Sequence, residues 1–173
     1  MINRKFFVFL LLSLLGGIIF FTCIPFQKAV IFEMPSNHQL LAYIPLDGKQ
    51  TFQIQYTHSI HLSEVRETYQ VIEDDRLQLV ELMYEDMAIG MPQDASEGEV
   101  FEKIDGKYYI KNMRRTFYSF DLRVGQVIAN HRLIYQNHVY PFHSFVEPGT
   151  TIRIKVDTLT LWELWKGVNV IER

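Results

Sequence analysis

Thr51-Phe52-Gln53-Ile54-Gln55-Tyr56-Thr57 sets Phe52, Ile54 and Tyr56 against Gln53, Gln55 and Thr57, the period-two alternation of a strand with one buried face. The same rhythm runs outward in both directions. Upstream it predicts strands over Ala29 to Met34 and Gln39 to Ile44, and downstream over Glu64 to Ile72 and Arg76 to Tyr84. After a loop it predicts Glu99 to Ile104, Lys107 to Asn112, Arg115 to Val124, His131 to Tyr135, His138 to Phe142 and Thr150 to Asp157. Asp47-Gly48, Asp74-Asp75, Asp105-Gly106 and Asn137 read as hairpin turns. Phe117, Phe120 and Leu122 break strict alternation, which predicts a bulge or a strand buried on both faces. Two packed antiparallel sheets fit this pattern better than one, so the expected fold class is all-β, an antiparallel β-sandwich. The closing stretch Leu159, Leu161, Trp162, Leu164 and Trp165 reads as a helical turn ended by Gly167, followed by a strand Val168 to Ile171. Its crowded apolar residues predict that the two tryptophans form a core lid over the open end of the sandwich, ahead of a cofactor or membrane role.

The N-terminal side is different. Phe6 to Phe26 is an uncharged run of 21 residues. As a helix it would extend about 31 Å, close to the hydrocarbon thickness of a bilayer. Arg4 and Lys5 precede it and only Lys28 follows before Glu33, so the positive-inside bias predicts a cytoplasmic N-terminus. The expected organisation is a membrane anchor or signal segment over residues 1–28 and an extracytoplasmic β-sandwich domain over residues 29–173. A cleaved signal lacks a good small-x-small site, since Phe20, Phe21 and Thr22 stand near the end of the run. A lipidated Cys23 lacks the small residue such a site needs before it. All three fates leave the domain outside the cytoplasm. Cys23 is the only cysteine, which excludes an intrachain disulfide and multi-thiolate metal sites. Beyond Lys5, 15 basic side chains stand against 20 acidic ones, a sign that disfavours nucleic acid and anionic lipid surfaces as partners.

Two segments could carry chemistry. The first is Tyr56-Thr57-His58-Ser59-Ile60-His61, followed by Glu64 and Glu67. The spacing His58-x-x-His61-x-x-Glu64 offers three ligands for an ion such as Zn²⁺, but on a strand positions 58 and 61 face apart, so joint ligation needs a turn. His58 and Ser59, adjacent on a strand, would not share a proton readily, and no Gly-x-Ser-x-Gly elbow occurs. The plain structural account has His58 and Ser59 satisfying backbone groups where a strand leaves the sheet, ahead of ligand recognition and then of metal binding or catalysis. No catalytic residue, metal or cofactor is expected; phosphate-cradling loops, dinucleotide fingerprints and EF-hand loops are absent. The second segment is the loop Glu85 to Glu99, where Met87, Ile89 and Met91 alternate around Gly90 and Pro92 between acids. It is longer than a hairpin needs, and its apolar side chains either cover a pocket or contact a partner, or else plug one end of the sandwich.

In order along the chain, Tyr56-Thr57-His58-Ser59-Ile60, Glu67-x-Tyr69, Gly90-Met91-Pro92, His131-Arg132-Leu133 and Pro148-Gly149 resemble a small uncharacterised prokaryotic family, catalogued as domain of unknown function 1850. The resemblance covers roughly residues 35–156. It implies a short exported or membrane-anchored protein, often encoded beside the fused permease and the solute-binding protein of TAXI-class TRAP transporters. The family pattern falls on Tyr56, His58, Ser59, Glu67, Gly90 and Pro92, with His61 outside it. Ala88-Ile89 stand where the family more often carries smaller or glycine-containing residues.

The expected function is therefore a single-pass accessory protein of a TRAP-type uptake system, bound to the membrane through residues 6–26. It would bind the permease, the solute-binding protein or a small solute through Tyr56, His58, Ser59, Glu67, Met87, Ile89, Gly90, Met91 and Pro92. The alternatives are a metal-dependent or hydrolytic enzyme using His58 and Glu67, and a structural envelope protein.

Overall fold

The computed structural model describes residues 4–46, 48, 51–87, 91–92 and 94–172. The uncharged run lies mostly in α1 (Arg4–Thr22), 19 residues long, exposed at nearly all its described side chains, and long and apolar enough to cross a membrane. Then follow β1 (Pro25–Glu33), β2 (Leu40–Pro45), β3 (Thr51–Thr57), β4 (Glu64–Ile72), β5 (Arg76–Tyr84), β6 (Val100–Ile104) and β7 (Lys107–Phe117). The chain continues through β8 (Ser119–Arg123), β9 (Arg132–Tyr135), β10 (His138–Pro141), β11 (Thr151–Thr160), α2 (Leu161–Lys166) and β12 (Val168–Asn169).

The strands build two sheets, ordered β12-β2-β1-β11-β8 and β10-β9-β3-β4-β5-β7-β6. Every pair is antiparallel except the two-residue β12 against β2. The fold is the expected β-sandwich behind one apolar helix. Inward side chains Val30, Phe32, Ile44, Ile152 and Ile154 of the first sheet meet Phe52, Ile54, Leu77, Tyr84, Ile110 and Leu133 of the second. Each such burial contributes about 1.5–3 kcal/mol. Tyr69 stacks on Phe52 of its own sheet at 5.4 Å and on Phe120 of the other at 4.8 Å.

Three turns match their sequence reading. Asp74 and Asp75, Asp105 and Gly106, and Gln136 and Asn137 all adopt positive φ between β4 and β5, β6 and β7, and β9 and β10. Three expectations need correction. Asp47-Gly48 does not close a hairpin, because β2 and β3 belong to different sheets and the connection passes between them; Asp47 itself lies outside the described residues. The broken alternation near Phe117 is a change of sheet: β7 ends there in the larger sheet, and β8 begins at Ser119 in the smaller. Upstream, β7 runs unbroken through Asn112, which takes a positive φ of 59° beside a register shift against β5.

The tryptophans are the third correction. A capping box, with Thr160 and Glu163 bonding one another's backbone N–H groups, starts α2. The helix packs through Leu164 on a second apolar cluster of Ala29, Ile31, Tyr43 and Leu159 on the outer face of the first sheet. Trp162 and Trp165, three residues apart, share the opposite side, where they are 49% and 76% exposed. A six-residue helix has one face to give the core, and Leu164 occupies it.

The two ends of the sandwich differ. β1 leaves α1 at Pro25, and β11 returns beside it, with Pro25 opposite Thr160. The β4–β5 turn lies at this anchor end, where Asp75 pairs with Lys28. The β3–β4 loop, the start of the Glu85 to Glu99 loop and the segments 124–131 and 142–150 consequently gather at the far end, while Ser96 to Glu99 run back along β7, where Glu99 pairs with Arg115.

Candidate functional site

The far end contains a carboxylate turned inward. On β4, Glu67 alternates with Val65, Tyr69 and Val71 and stands opposite Ile54 and Leu82, all buried apolar or aromatic residues. Burial pushes the Glu67 carboxyl above the usual range, and a hydrogen bond from the Tyr69 hydroxyl partly offsets this. That bond runs from Tyr69 Oη to Glu67 Oε2 at 2.8 Å. Burial, then the Glu67 charge, raise the Tyr56 phenol to about 12 and push Tyr69 up as well. Both phenols are therefore neutral donors at physiological pH.

Tyr56 stacks at 5.3 Å on His131, which is buried and edge-on to Phe142 at 6.3 Å. His131 Nδ1 accepts the Gly125 N–H at 3.1 Å, and burial lowers its pKa. Both features favour the neutral ring, since a protonated Nδ1 could not accept. His131 ties the 124–131 segment to β3, as does the bond from Thr57 N–H to the Ala129 carbonyl at 2.8 Å.

His58 lies just past β3 in a tight loop. Its N–H donates to the Ser63 carbonyl at 2.8 Å, and its carbonyl accepts from Leu62 N–H at 2.9 Å. The His58 and His61 rings are 5.8 Å apart, so the loop supplies the turn that joint use would require. Among the described residues, the buried His58 Nδ1 has no hydrogen-bond partner. Glu64, the third member of the metal-like spacing, is held by Arg66 at 2.8 Å and Gln55 at 2.6 Å. Ser59 is exposed at the loop tip. Glu67 accepts its hydrogen bond from Tyr69 and His58 Nδ1 has none, so no bond joins the pair on which the enzyme alternative depends among the described residues.

The Glu85 to Glu99 loop divides. Met87 is 45% exposed, whereas Met91 packs against the core. The Pro92 carbonyl accepts from the buried Tyr84 hydroxyl, which pins the loop to the end of β5. Ile89 and Gly90 lie outside the described residues.

Sequence reasoning placed Tyr56 and Glu67 in one site but missed how they are completed. Tyr69 and His131 stood in the family motifs without a role, and spacing alone does not show that strand pairing brings them to Glu67 and Tyr56. Exposed Ile60, Leu62, Val127 and Ile128 were also missed. Leu62 holds a positive φ of 54°, a conformation strained for a leucine. A cleft of about 350 Å³ opens beside them, lined by Thr57, Gly125, Gln126, Val127, Ile128, Asn130, His143 and Pro148. Gly149, at φ 88°, closes its wall: a Cβ there would stand 2.6 Å from Gln126 Nε2.

Together these features define a two-sheet β-sandwich on an apolar N-terminal helix, with a half-buried, inward-facing carboxyl and its tyrosine partner toward the end opposite that helix. The chain belongs to the family described as Domain of unknown function (DUF1850), whose model matches residues 52–142. Comparison with curated proteins and with solved structures finds no match.

Proposed function

We propose that this protein is a single-pass, outward-facing accessory protein of a TRAP-type solute uptake system, held in the membrane by α1 and binding a protein partner or small solute at its far end. One observation carries the reading. Tyr56 to Ile60, Met91-Pro92, His131 and Pro148-Gly149 are spread over about ninety residues, yet they meet at the end of the sandwich opposite the anchor. Exposed Ile60, Leu62, Val127 and Ile128 surround polar groups there, the composition of a recognition surface with apolar anchors. The charge asymmetry around α1 supports the outward orientation. The choice of transporter rests on the genomic company of the family that the motifs resemble.

A photocrosslinking residue at Ser59 or Met87 tests the reading in native membranes. Adducts with the permease or the solute-binding protein are expected from these positions and not from Tyr118, which is exposed near the anchor end. Far-end positions that capture neither protein, in cells whose uptake survives deletion of this chain, would refute it.

A further inference from the structure

We propose that α2 is a second membrane contact, in which Trp162 and Trp165 seat the anchor end of the domain in the headgroup layer of the bilayer that α1 crosses. The proposal rests on the anchored reading above. Only Cys23 and Ile24 separate the end of α1 from the start of β1. The three Cα–Cα steps from Thr22 to Pro25 reach at most about 11 Å. The polar layer on each side of the hydrocarbon is roughly 5–8 Å deep. Whenever α1 spans, Pro25 therefore lies within that layer or no more than a few ångströms beyond it. Pro25 is paired with Thr160, the residue that caps α2. The tryptophans thus stand two and five residues from a point already at the membrane surface.

The helix is built for that position. Leu164 and the hydrogen bond from Tyr43 Oη to the Leu164 carbonyl at 3.4 Å fix α2 to the sheet, with Trp165 turned outward and Trp162 half-exposed at the rim of a cleft it shares with His38, Gln39 and Leu40. The two indoles lie 5.2 Å apart, and Lys166 Nζ stands 4.5 Å from the Trp162 ring. Phe26 is exposed at the same end. Indoles favour the interface because the ring is apolar and the N–H still finds a polar partner there. The neighbouring turn Glu73-Asp74-Asp75 is acidic, so ring insertion rather than attraction to anionic lipid drives the seating, and phosphatidylcholine alone suffices.

These are the only two tryptophans in the chain, so tryptophan emission, excited at wavelengths that tyrosine does not absorb, reports on α2 alone. The full chain is reconstituted in phosphatidylcholine vesicles, with and without lipid brominated near the headgroup end of its acyl chains. Emission is expected to shift to the blue and to lose most of its intensity to the brominated lipid, while aqueous iodide quenches it weakly. Trp162→Phe and Trp165→Phe chains, each keeping one exposed indole, should both remain quenched by the lipid. Protein that floats with the vesicles but emits in the red, yielding to iodide and not to brominated lipid, overturns the seating while the anchor stands. Protein that fails to float removes the anchored reading and the seating together.

Discussion

Tyr69 Oη donates to Glu67 Oε2 at 2.8 Å from two residues along the same strand, so both groups sit on the inward face of β4. The sandwich thus places a carboxyl group where its neighbours Ile54 and Leu82 are apolar.

Glu67 should make the protein less stable as pH rises. Its folded pKa is raised above the ordinary 4.5, so the native state binds the proton more tightly than the unfolded chain. Stability is fullest below 4.5 and falls as pH climbs through the raised value. Glu67→Gln, whose amide oxygen can still accept from Tyr69, should melt higher than the parent at pH 7 and equally at acid pH. Melting curves across that range check it; a lower midpoint at pH 7 would contradict it.

Tyr69→Phe should do the opposite. It strips the buried carboxylate of its donor, at a cost of about 1–3 kcal/mol. The loss should be greatest above the raised pKa of Glu67 and should shrink in acid, where the carboxyl is protonated. Urea titrations at two pH values measure both.

His131 predicts a slope of the other sign. Its folded pKa lies below 6.5, so the unfolded chain takes up the proton first, and stability falls as pH drops from 6.5 toward the lowered value. Replacing His131 with Gln should flatten this slope. An unchanged slope would assign the titration to another group.

Met87 and Met91 should separate in substitution. Met87→Ser, on an exposed side chain, should alter stability by no more than about 0.5 kcal/mol. Met91→Ser removes a side chain packed on the core and should cost about 1–3 kcal/mol. Loss of crosslinking without loss of stability is expected of Met87→Ser alone.

The orientation is open to direct test. External protease on spheroplasts should digest the domain and leave α1 with the membrane, or release the whole domain if the segment is cleaved. Protection until the membrane is breached would reverse the assignment.

The legibility of the chain follows the kind of signal each part carries. Thr51–Thr57, Glu64–Ile72 and Arg76–Tyr84 match their sequence reading because a half-buried strand writes its period into the residues. The start of β1 at Pro25 does not, because Pro25 to Lys28 adjoin an apolar run with no alternation to mark the change. Phe117 to Leu122 misled because a strand that changes sheets also changes its buried side. Trp162 and Trp165 misled because apolar character on an exposed helix face looks the same as apolar character in a core. In the site, Tyr56 and Glu67 were legible through motif and residue type. Their pairing with His131 and Tyr69 was not, since it arises from register and ring stacking between segments about 75 residues apart in one case and from the shared face of β4 in the other.

The pairing of Pro25 with Thr160 also dictates an order of assembly. A ribosome releases β1 long before one of its two neighbours, β11, which emerges only when residues 151–160 appear. Ala29 to Phe32 are buried in the finished fold, so until then β1 can zip only to β2 and keeps one edge unpaired. The smaller sheet cannot close cotranslationally from its N-terminal half, and a chain stopped short of residue 151 would display a sticky, half-finished edge close to α1.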